Sequence, residues 1–358
     1  MTKIFATGVT GYIGGDALYA ISEAHPDYEI TALVRNSDKG AKVAKVYPSI
    51  RLVYGDLDSS DLITAEAQKA DIVLHCANAD HPGAAEAIVK GLAAQSKPTF
   101  LIHTSGTGIL LYDDFERLHS FGEKLGEKVF DDLEGVSEVT SLPDASAHRE
   151  VDKIILEAGT TLADKVKTAI VCPPTIYGKG RGPDNQRSQQ VPELAHAALK
   201  TGQAIRVNQG QTYWGHVHVH DLSALFLKLV EEAAVGGSTA EWPGKPATWG
   251  SEGYYFCENG EHIWGEVSQW IADEAHKQGL IKTSEVRSVT PEEAKNFTQF
   301  DQASWSSNSR ARAVRAREVL KWEPKGASLQ DTIKEIVEAE AEQVKPAPTH
   351  AEIAAGEK

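Results

Sequence analysis

No stretch of this sequence approaches the roughly 18 consecutive apolar residues that a membrane span requires. The first apolar segment, after Met1-Thr2-Lys3, runs for about five residues, shorter than the hydrophobic region of a signal peptide. A cytoplasmic protein with no membrane partner is therefore expected. Cysteine is scarce. Cys76, Cys172 and Cys257 are far apart and odd in number, with no CxxC or Cys/His zinc spacing, which excludes a disulfide framework and points to a reducing compartment. Positive charge is also in deficit, with 36 Lys and Arg against 51 Asp and Glu and a formal net charge of −15. With no basic stripe, non-specific nucleic-acid binding is excluded. An anionic ligand would need local positive groups within its own motif. No solenoid-type repeat occurs.

What remains is an ordinary globular composition, 41% hydrophobic and 24% charged over 358 residues. That is enough for two domain-sized units, or one large α/β domain with a smaller lobe. Short apolar runs at 3–7, 30–34, 51–54, 72–75 and 99–104 read as strands, with helical periodicity at 14–24, 41–46, 60–70 and 83–95 between them. This alternation predicts βαβ units and a parallel sheet. An acid-rich stretch at 113–146 reads as a loop insertion on the ligand side, with room for a short helix. A strong helix at 147–158 and a strand at 167–171 follow, then helices at 191–200 and 222–234 flanking the apolar run 215–219. Residues 236–253 read as a surface loop, 254–345 as mostly helical with a short strand at 254–257, and the tail from Lys345 as disordered. The expected architecture is a Rossmann-type doubly wound parallel sheet (1–171) with a smaller, mostly C-terminal α/β substrate lobe (172–344) whose segments return to the sheet.

Directly after the first strand the sequence reads Thr7-Gly8-Val9-Thr10-Gly11-Tyr12-Ile13-Gly14-Gly15. The first two glycines permit a tight turn and close backbone approach to a pyrophosphate, and the third permits close helix–strand packing. The helix that starts there presents free N–H groups to phosphates. Strand before and helix after is the context that a dinucleotide-binding turn requires. The second strand ends in Arg35, followed by Ser37 and Lys39, where a carboxylate would favour a free ribose diol. A guanidinium there suits a 2′-phosphate, so NADP(H) is the expected cofactor. Asp56, with Leu57, follows the third strand and either meets the adenine amino group or forms an Asx turn.

With these features the chain resembles the extended short-chain dehydrogenase/reductase family, also described as NAD-dependent epimerases/dehydratases. TGVTGYIGG is similar to that family's TGxxGxxG. Cys172-Pro173-Pro174-Thr175-Ile176-Tyr177-Gly178 is similar to its RPxxVYG, Trp214 to Leu222 to its W-x-x-V-H-V-x-D-L segment, and 309–324 to its S…LGW-x-P ending. The resemblance covers most of the chain. It implies a cofactor site that includes Thr10, Tyr12, Ile13 and Ala77, with Pro173, Thr175 and Ile176 beside the nicotinamide. It also implies a Ser/Thr at the end of the fifth strand, for which Thr104, Ser105 and Thr107 qualify, and a homodimer.

The same resemblance implies a YxxxK pair on one helix, where residues i and i+4 share a face and the lysine lowers the tyrosine pKa. Lys153 fits the lysine, but Arg149 stands where the tyrosine belongs, and no other YxxxK occurs. Arginine stays protonated and cannot pass a proton. His148 can act as acid and base, although on an ideal helix it points about 100° away from Arg149. Alternatively, Arg149 binds a substrate carboxylate or developing charge, or Tyr112 or Tyr177 enters from another loop. Trp214 joins Tyr112 and Tyr177 as a substrate-side candidate. His216, His218 and His220 alternate and either form a zinc site or hold structural positions; no metal is expected. The stripe Leu222, Leu225, Phe226, Leu229 and Val230 reads as core or subunit contact. Arg310, Arg312, Arg315 and Arg317 read as the solvated side of a helix, with Arg310 in reach of a substrate. Reduction of a small organic carbonyl, imine or activated alkene is the leading expectation. A non-catalytic NADP sensor is the main alternative, and sugar-nucleotide epimerisation the weakest.

Overall fold

The computed structural model describes residues 1–124, 126–237, 248–298 and 303–344. In chain order the elements of the first half are β1 (Lys3–Thr7), α1 (Tyr12–Ala24), β2 (Glu29–Val34), α2 (Ser37–Val46), β3 (Arg51–Tyr54), α3 (Ser60–Ala67), β4 (Ile72–His75), α4 (Pro82–Ala93), β5 (Thr99–Thr104), β6 (Phe130–Asp131), α5 (Val136–Val139), α6 (Arg149–Thr161) and β7 (Val166–Cys172). The second half contributes β8 (Thr175–Tyr177), α7 (Gln190–Thr201), β9 (Ile205–Val207), β10 (Tyr213–His218), α8 (Val219–Ala234), β11 (Tyr254–Phe256), β12 (Glu261–Ile263), α9 (Trp264–Lys277), β13 (Arg287–Val289), α10 (Pro291–Ala294), α11 (Ala303–Ser306), β14 (Ala311–Arg312), α12 (Val314–Leu320) and α13 (Leu329–Val344).

Seven strands form one sheet in the order β11-β7-β5-β4-β1-β2-β3, and every pairing within it is parallel. Such a sheet must be covered on both faces, which is why β4 and β5 are buried along their whole length and read as unbroken apolar runs. α1 with α8, and α4 with α3 and α6, form the covering layers. The α8 stripe from Leu222 to Val230 is buried in this core. Helix starts follow local chemistry. Asn36 caps α2 by accepting from the Lys39 N–H, and His81 caps α4 just before Pro82.

The strand order reverses between β1 and β4, the switch point at which α/β sheets open a ligand crevice at their carboxyl ends. A second core, built on α7, α9 and α13, forms the lobe. Residues 254–344 are less helical than the periodicity suggests, because β11 returns to the large sheet and β12, β13 and β14 pair with β10, β9 and β6. The 113–146 segment is not a bare loop: it carries a π-helical turn at Asp113–Leu118, then β6 and α5. Residues 238–247, within the expected surface loop, and the expected disordered tail from Lys345 lie outside the described residues.

The arginine series does not solvate a helix. α12 begins only at Val314, and Arg315 is fully buried with its Nε donating to the Asp132 carbonyl. Arg317 meets the Ala313 and Glu258 carbonyls. Arg310 forms a fork with Glu261, so its guanidinium is committed within the fold. Asp132 is the anchor of this region. Its carboxylate accepts backbone N–H bonds from Phe256, Val314 and Arg315 at 2.8, 2.9 and 2.8 Å, joining the insertion to β11 and α12. Asp132→Ala would strand three backbone donors beside a buried arginine. It should lower the unfolding free energy in urea by about 3 kcal/mol or more; a loss below about 1 kcal/mol would show that the anchor carries little.

Candidate active site at the carboxyl edge of the sheet

The glycine turn sits where β1 meets α1. Gly8 has φ +78°, and a Cβ there would stand 2.3 Å from the Cys76 carbonyl oxygen. A Cβ at Gly14 would stand 2.5 Å from the Gly8 carbonyl oxygen. Both glycines are therefore required by close backbone packing. Gly11, extended and without a side-chain cap, opens α1, and no acidic residue occupies the first turn. The N-terminal N–H groups are thus available to an anion.

A groove of about 460 Å³ runs along this edge. It is lined by Gly8, Thr10 and Gly11 from the first turn, Arg35 and Lys39 beyond β2, Asp56 and Leu57 beyond β3, and Ala77 and Asn78 beyond β4. The groove brings together the turn, the cation at the end of β2 and the acid after β3. Asp56 also makes a local turn, exchanging hydrogen bonds with Ser59; lining and turn coexist. Tyr12, Ile13 and Gly14 lie outside the lining, and the Tyr12 hydroxyl donates to the Gly178 carbonyl at 2.5 Å.

Beyond the groove, the β5 end carries Ser105-Gly106-Thr107-Gly108. The Thr107 N–H donates to the Pro173 carbonyl at 3.0 Å, which seats the Pro173–Ile176 segment beside it. Over these glycines lies His148. A Cβ built on Gly106 would be 3.1 Å from His148 Nε2, and one on Gly108 3.3 Å. His148 is the residue before α6 and adopts φ 62°, a left-handed conformation uncommon for a histidine. This irregular start turns its ring away from the direction expected of an ideal helix. The other ring nitrogen, Nδ1, is 2.7 Å from Asp80 Oδ1. The imidazole beside Asp80 holds that carboxyl below the ordinary carboxylate range. An ionised carboxylate only accepts, so Nδ1 carries the proton and Nε2 is the free basic atom of the neutral ring.

Arg149 and Lys153 are not in this cleft. α6 turns Val151, Asp152 and Ile155 inward. The Arg149 guanidinium donates to the Leu142 and Thr140 carbonyls at 3.0 and 2.7 Å, closing the insertion. Lys153, on the outer side, pairs with Asp144 at 2.8 Å and is half exposed. Tyr177 and Trp214 serve the lobe. The Tyr177 hydroxyl donates to the Ala327 carbonyl, and Trp214 Nε1 to the Ser307 carbonyl. Tyr112 is partly buried next to the π-helical turn. Of the alternating histidines, His216 meets His262, His218 caps α8 by accepting from the His220 N–H, and His220 meets the Lys179 carbonyl. Among the described residues no cluster of three or more His, Cys, Asp or Glu forms a metal site.

Beneath the cleft lies a buried polar strip of which sequence reasoning named only Thr104 and Ser105 as site candidates. His75 meets Thr7 Oγ1 at 2.7 Å and stacks on His103, whose Nε2 is 3.8 Å from Asp152 Oδ1. Ser105 and Tyr254 both donate to Asp152 Oδ2 at 3.0 Å. The Thr104 hydroxyl donates to Cys76 Sγ. Burial pushes His75 down to about 4 and Asp152 up to about 6. The signal for Asp152 was present, since it sits between Val151 and Ile155 on the apolar stripe of its helix.

The match to known proteins agrees with this geometry. A family model described as NAD(P)H-binding matches residues 8–159. The oxidase ucsJ of Acremonium sp. is 40% identical over 344 residues, covering 96% of this chain and 98% of that protein. The chain belongs to an NAD(P)-binding oxidoreductase family that includes this oxidase. An uncharacterized Saccharomyces cerevisiae protein, YLL056C, is 24% identical to this chain over 93% of it and 98% of its own length. Among solved structures, dTDP-glucose 4,6-dehydratase of Bacillus anthracis in complex with NAD superposes with TM-score 0.65 at 16% identity, covering 96% of this chain and 97% of that one. UDP-glucose 4-epimerase of Thermotoga maritima gives 0.62 at 14% identity over 96% and 100%. At such identities these two share the fold alone. Among the described residues no helix is long and apolar enough to cross a membrane.

The Asp152 carboxyl supplies a test of the buried strip. Its folded pKa of about 6 lies above the ordinary 3.8. The folded protein therefore keeps a proton that the unfolded chain releases, and stability is lost as pH rises between those values. Asp152→Asn removes this dependence. The stability of wild type relative to Asp152→Asn, from urea unfolding, should fall by up to about 3 kcal/mol between about pH 4 and about pH 7. A constant difference would contradict the raised value.

Proposed function

We propose that the protein is an NADP(H)-dependent oxidoreductase acting on a small organic carbonyl, imine or activated alkene, and that His148 replaces the family's tyrosine as the proton-transfer group. The observation that carries this reading is the His148–Asp80 pair, whose imidazole lies against Gly106 and Gly108 just beyond the end of β5. The cradle fits a dinucleotide: Gly8 and Gly14 leave no room for a side chain, and the start of α1 offers unpaired N–H groups. Gly8, Thr10 and Gly11 would hold the pyrophosphate, Asp56 and Leu57 the adenine side, and Arg35 with Lys39 a 2′-phosphate. Pro173, Thr175 and Ile176 would flank the nicotinamide. NADP(H), when bound, supplies or accepts a hydride.

The chain's own part is the proton. Asp80 fixes the ring through Nδ1, so that Nε2 faces the reacting oxygen or nitrogen. As imidazolium it gives a proton during reduction; as neutral imidazole it takes one during oxidation. Gly106 and Gly108 leave the space in which the ring sits. The Ser105 hydroxyl donates its proton to Asp152 and can only accept from the cleft side, which makes it a positioning group. The 40% identity to a chain named an oxidase supports redox chemistry. Sugar-nucleotide epimerisation is disfavoured: Arg149 stands where the family's proton-transfer tyrosine belongs, and its guanidinium is committed to the Leu142 and Thr140 carbonyls.

Binding of NADPH and NADH would be followed by fluorescence, and turnover across carbonyls, imines and enones by absorbance. NADPH should bind at least about tenfold more tightly, and Arg35→Ala should remove most of that preference. His148→Gln should lower kcat by about 100-fold or more while leaving NADPH affinity within about twofold. Undiminished turnover in His148→Gln would overturn the proton assignment. Tight NADPH binding with no turnover of any substrate would identify a nucleotide-responsive binding protein instead.

A further inference from the structure

The segment from Gly178 to Ser188 crosses the glycine turn as a strap. The Tyr12 hydroxyl bonds the Gly178 carbonyl, and Arg181 forks onto the buried Asp16, which also accepts from its backbone N–H. Gly182 lies against α1, where a Cβ on Gly15 would be 3.1 Å from its Cα. The Asn185 N–H reaches the Thr10 carbonyl at 3.3 Å, and Asn185 lines the cofactor groove. Between these anchors stands Asp184. Its side chain is 9% exposed, and its two carboxylate oxygens are taken by the ammonium groups of Lys39 and Lys42. Lys39 itself lines the groove beside Arg35.

We propose that Asp184 is a specificity-determining residue that acts as an internal competitor of the cofactor's 2′-phosphate. It holds the lysine pair while the site is empty and yields it when a 2′-phosphate binds. The inference rests on the NADP(H) reading above. A carboxylate and a phosphate dianion want the same ammonium groups, and the phosphate carries the larger charge. Held side by side around one lysine pair, the two anions repel, so Asp184 must turn away when the phosphate is seated. A cofactor without the 2′-phosphate presents no anion there and leaves the Asp184 contacts intact. Discrimination is thus set by Arg35 and Lys39 on one side and opposed by Asp184 on the other. The strap reports which cofactor is bound, because its tip between Gly182 and Gln186 is tied to α2 through this carboxylate.

The test uses Asp184→Asn in the full chain, with NADPH and NADH titrated against wild type. Asparagine keeps the shape and removes the charge. NADPH affinity should rise roughly tenfold while NADH affinity stays within about twofold. Hydrogen exchange of the wild type gives a second reading that requires no variant. Saturating NADPH should speed exchange at the 183–187 amides relative to saturating NADH. Unchanged or weaker NADPH binding in Asp184→Asn, or equal exchange with both cofactors, overturns the proposal while NADPH preference in the wild type still stands. A wild type that binds NADH at least as tightly as NADPH would instead withdraw the NADP(H) reading, and this inference with it.

Discussion

A Cβ at Gly8 would fall inside van der Waals contact of the Cys76 carbonyl, and one at Gly14 would fall inside contact of Gly8 itself. The β1–α1 turn therefore lies flush against the end of β4, and that contact sets the floor of the whole carboxyl edge. Because the turn is so low, Gly8, Thr10 and Gly11 line the groove and α1 starts directly behind them without a side-chain cap. The strap 178–188 can then cross above it, pinned by Tyr12 and Arg181. The groove, the β5-end glycines and His148 follow along the same edge, so one packing constraint at β1 aligns features drawn from many parts of the chain.

The electrostatics fit an acidic protein that handles an anionic ligand. With a net charge of −15, no broad positive field is available, and attraction must come from single groups at short range. In the proposed reading Arg35 and Lys39, which line the groove, supply it at one end and the β1–α1 turn in the middle. At the other end, His148 Nδ1 lies 2.7 Å from the Asp80 carboxylate. Beneath the cleft, burial lowers His75 to about 4, which keeps it neutral, and raises Asp152 to about 6.

The sheet was legible in the sequence because parallel strands buried on both faces announce themselves as short apolar runs. β1, β4 and β5 fall where the runs predict them, as does the more exposed edge strand β3. The turn and the cation after β2 were legible for the same local reason: each is encoded within a few consecutive residues. The surroundings of the β5 end were not. Arg149 and Lys153 were placed by spacing along a helix, but α6 turns Asp152 inward, and both cations face carbonyls or carboxylates of the insertion. Nothing local predicts the left-handed backbone at His148, which steers its ring onto Gly106 and Gly108. The partnership with Asp80 joins residues 68 apart. Asp184 escaped notice for the same reason: its partners Lys39 and Lys42 lie about 140 residues earlier in the chain. The arginine series misled because Arg315 is buried around Asp132, a contact that no periodicity reports.

In the proposed reading one dinucleotide spans the edge from Arg35 to His148. A crystal structure of the protein with NADP+ tests it most directly. The account predicts density for the 2′-phosphate at Arg35 and Lys39, the pyrophosphate on Gly8 to Gly11, and the nicotinamide between Pro173 and the His148 ring. A nicotinamide that points out of the cleft, or a cofactor whose adenosine end avoids Arg35, would contradict it.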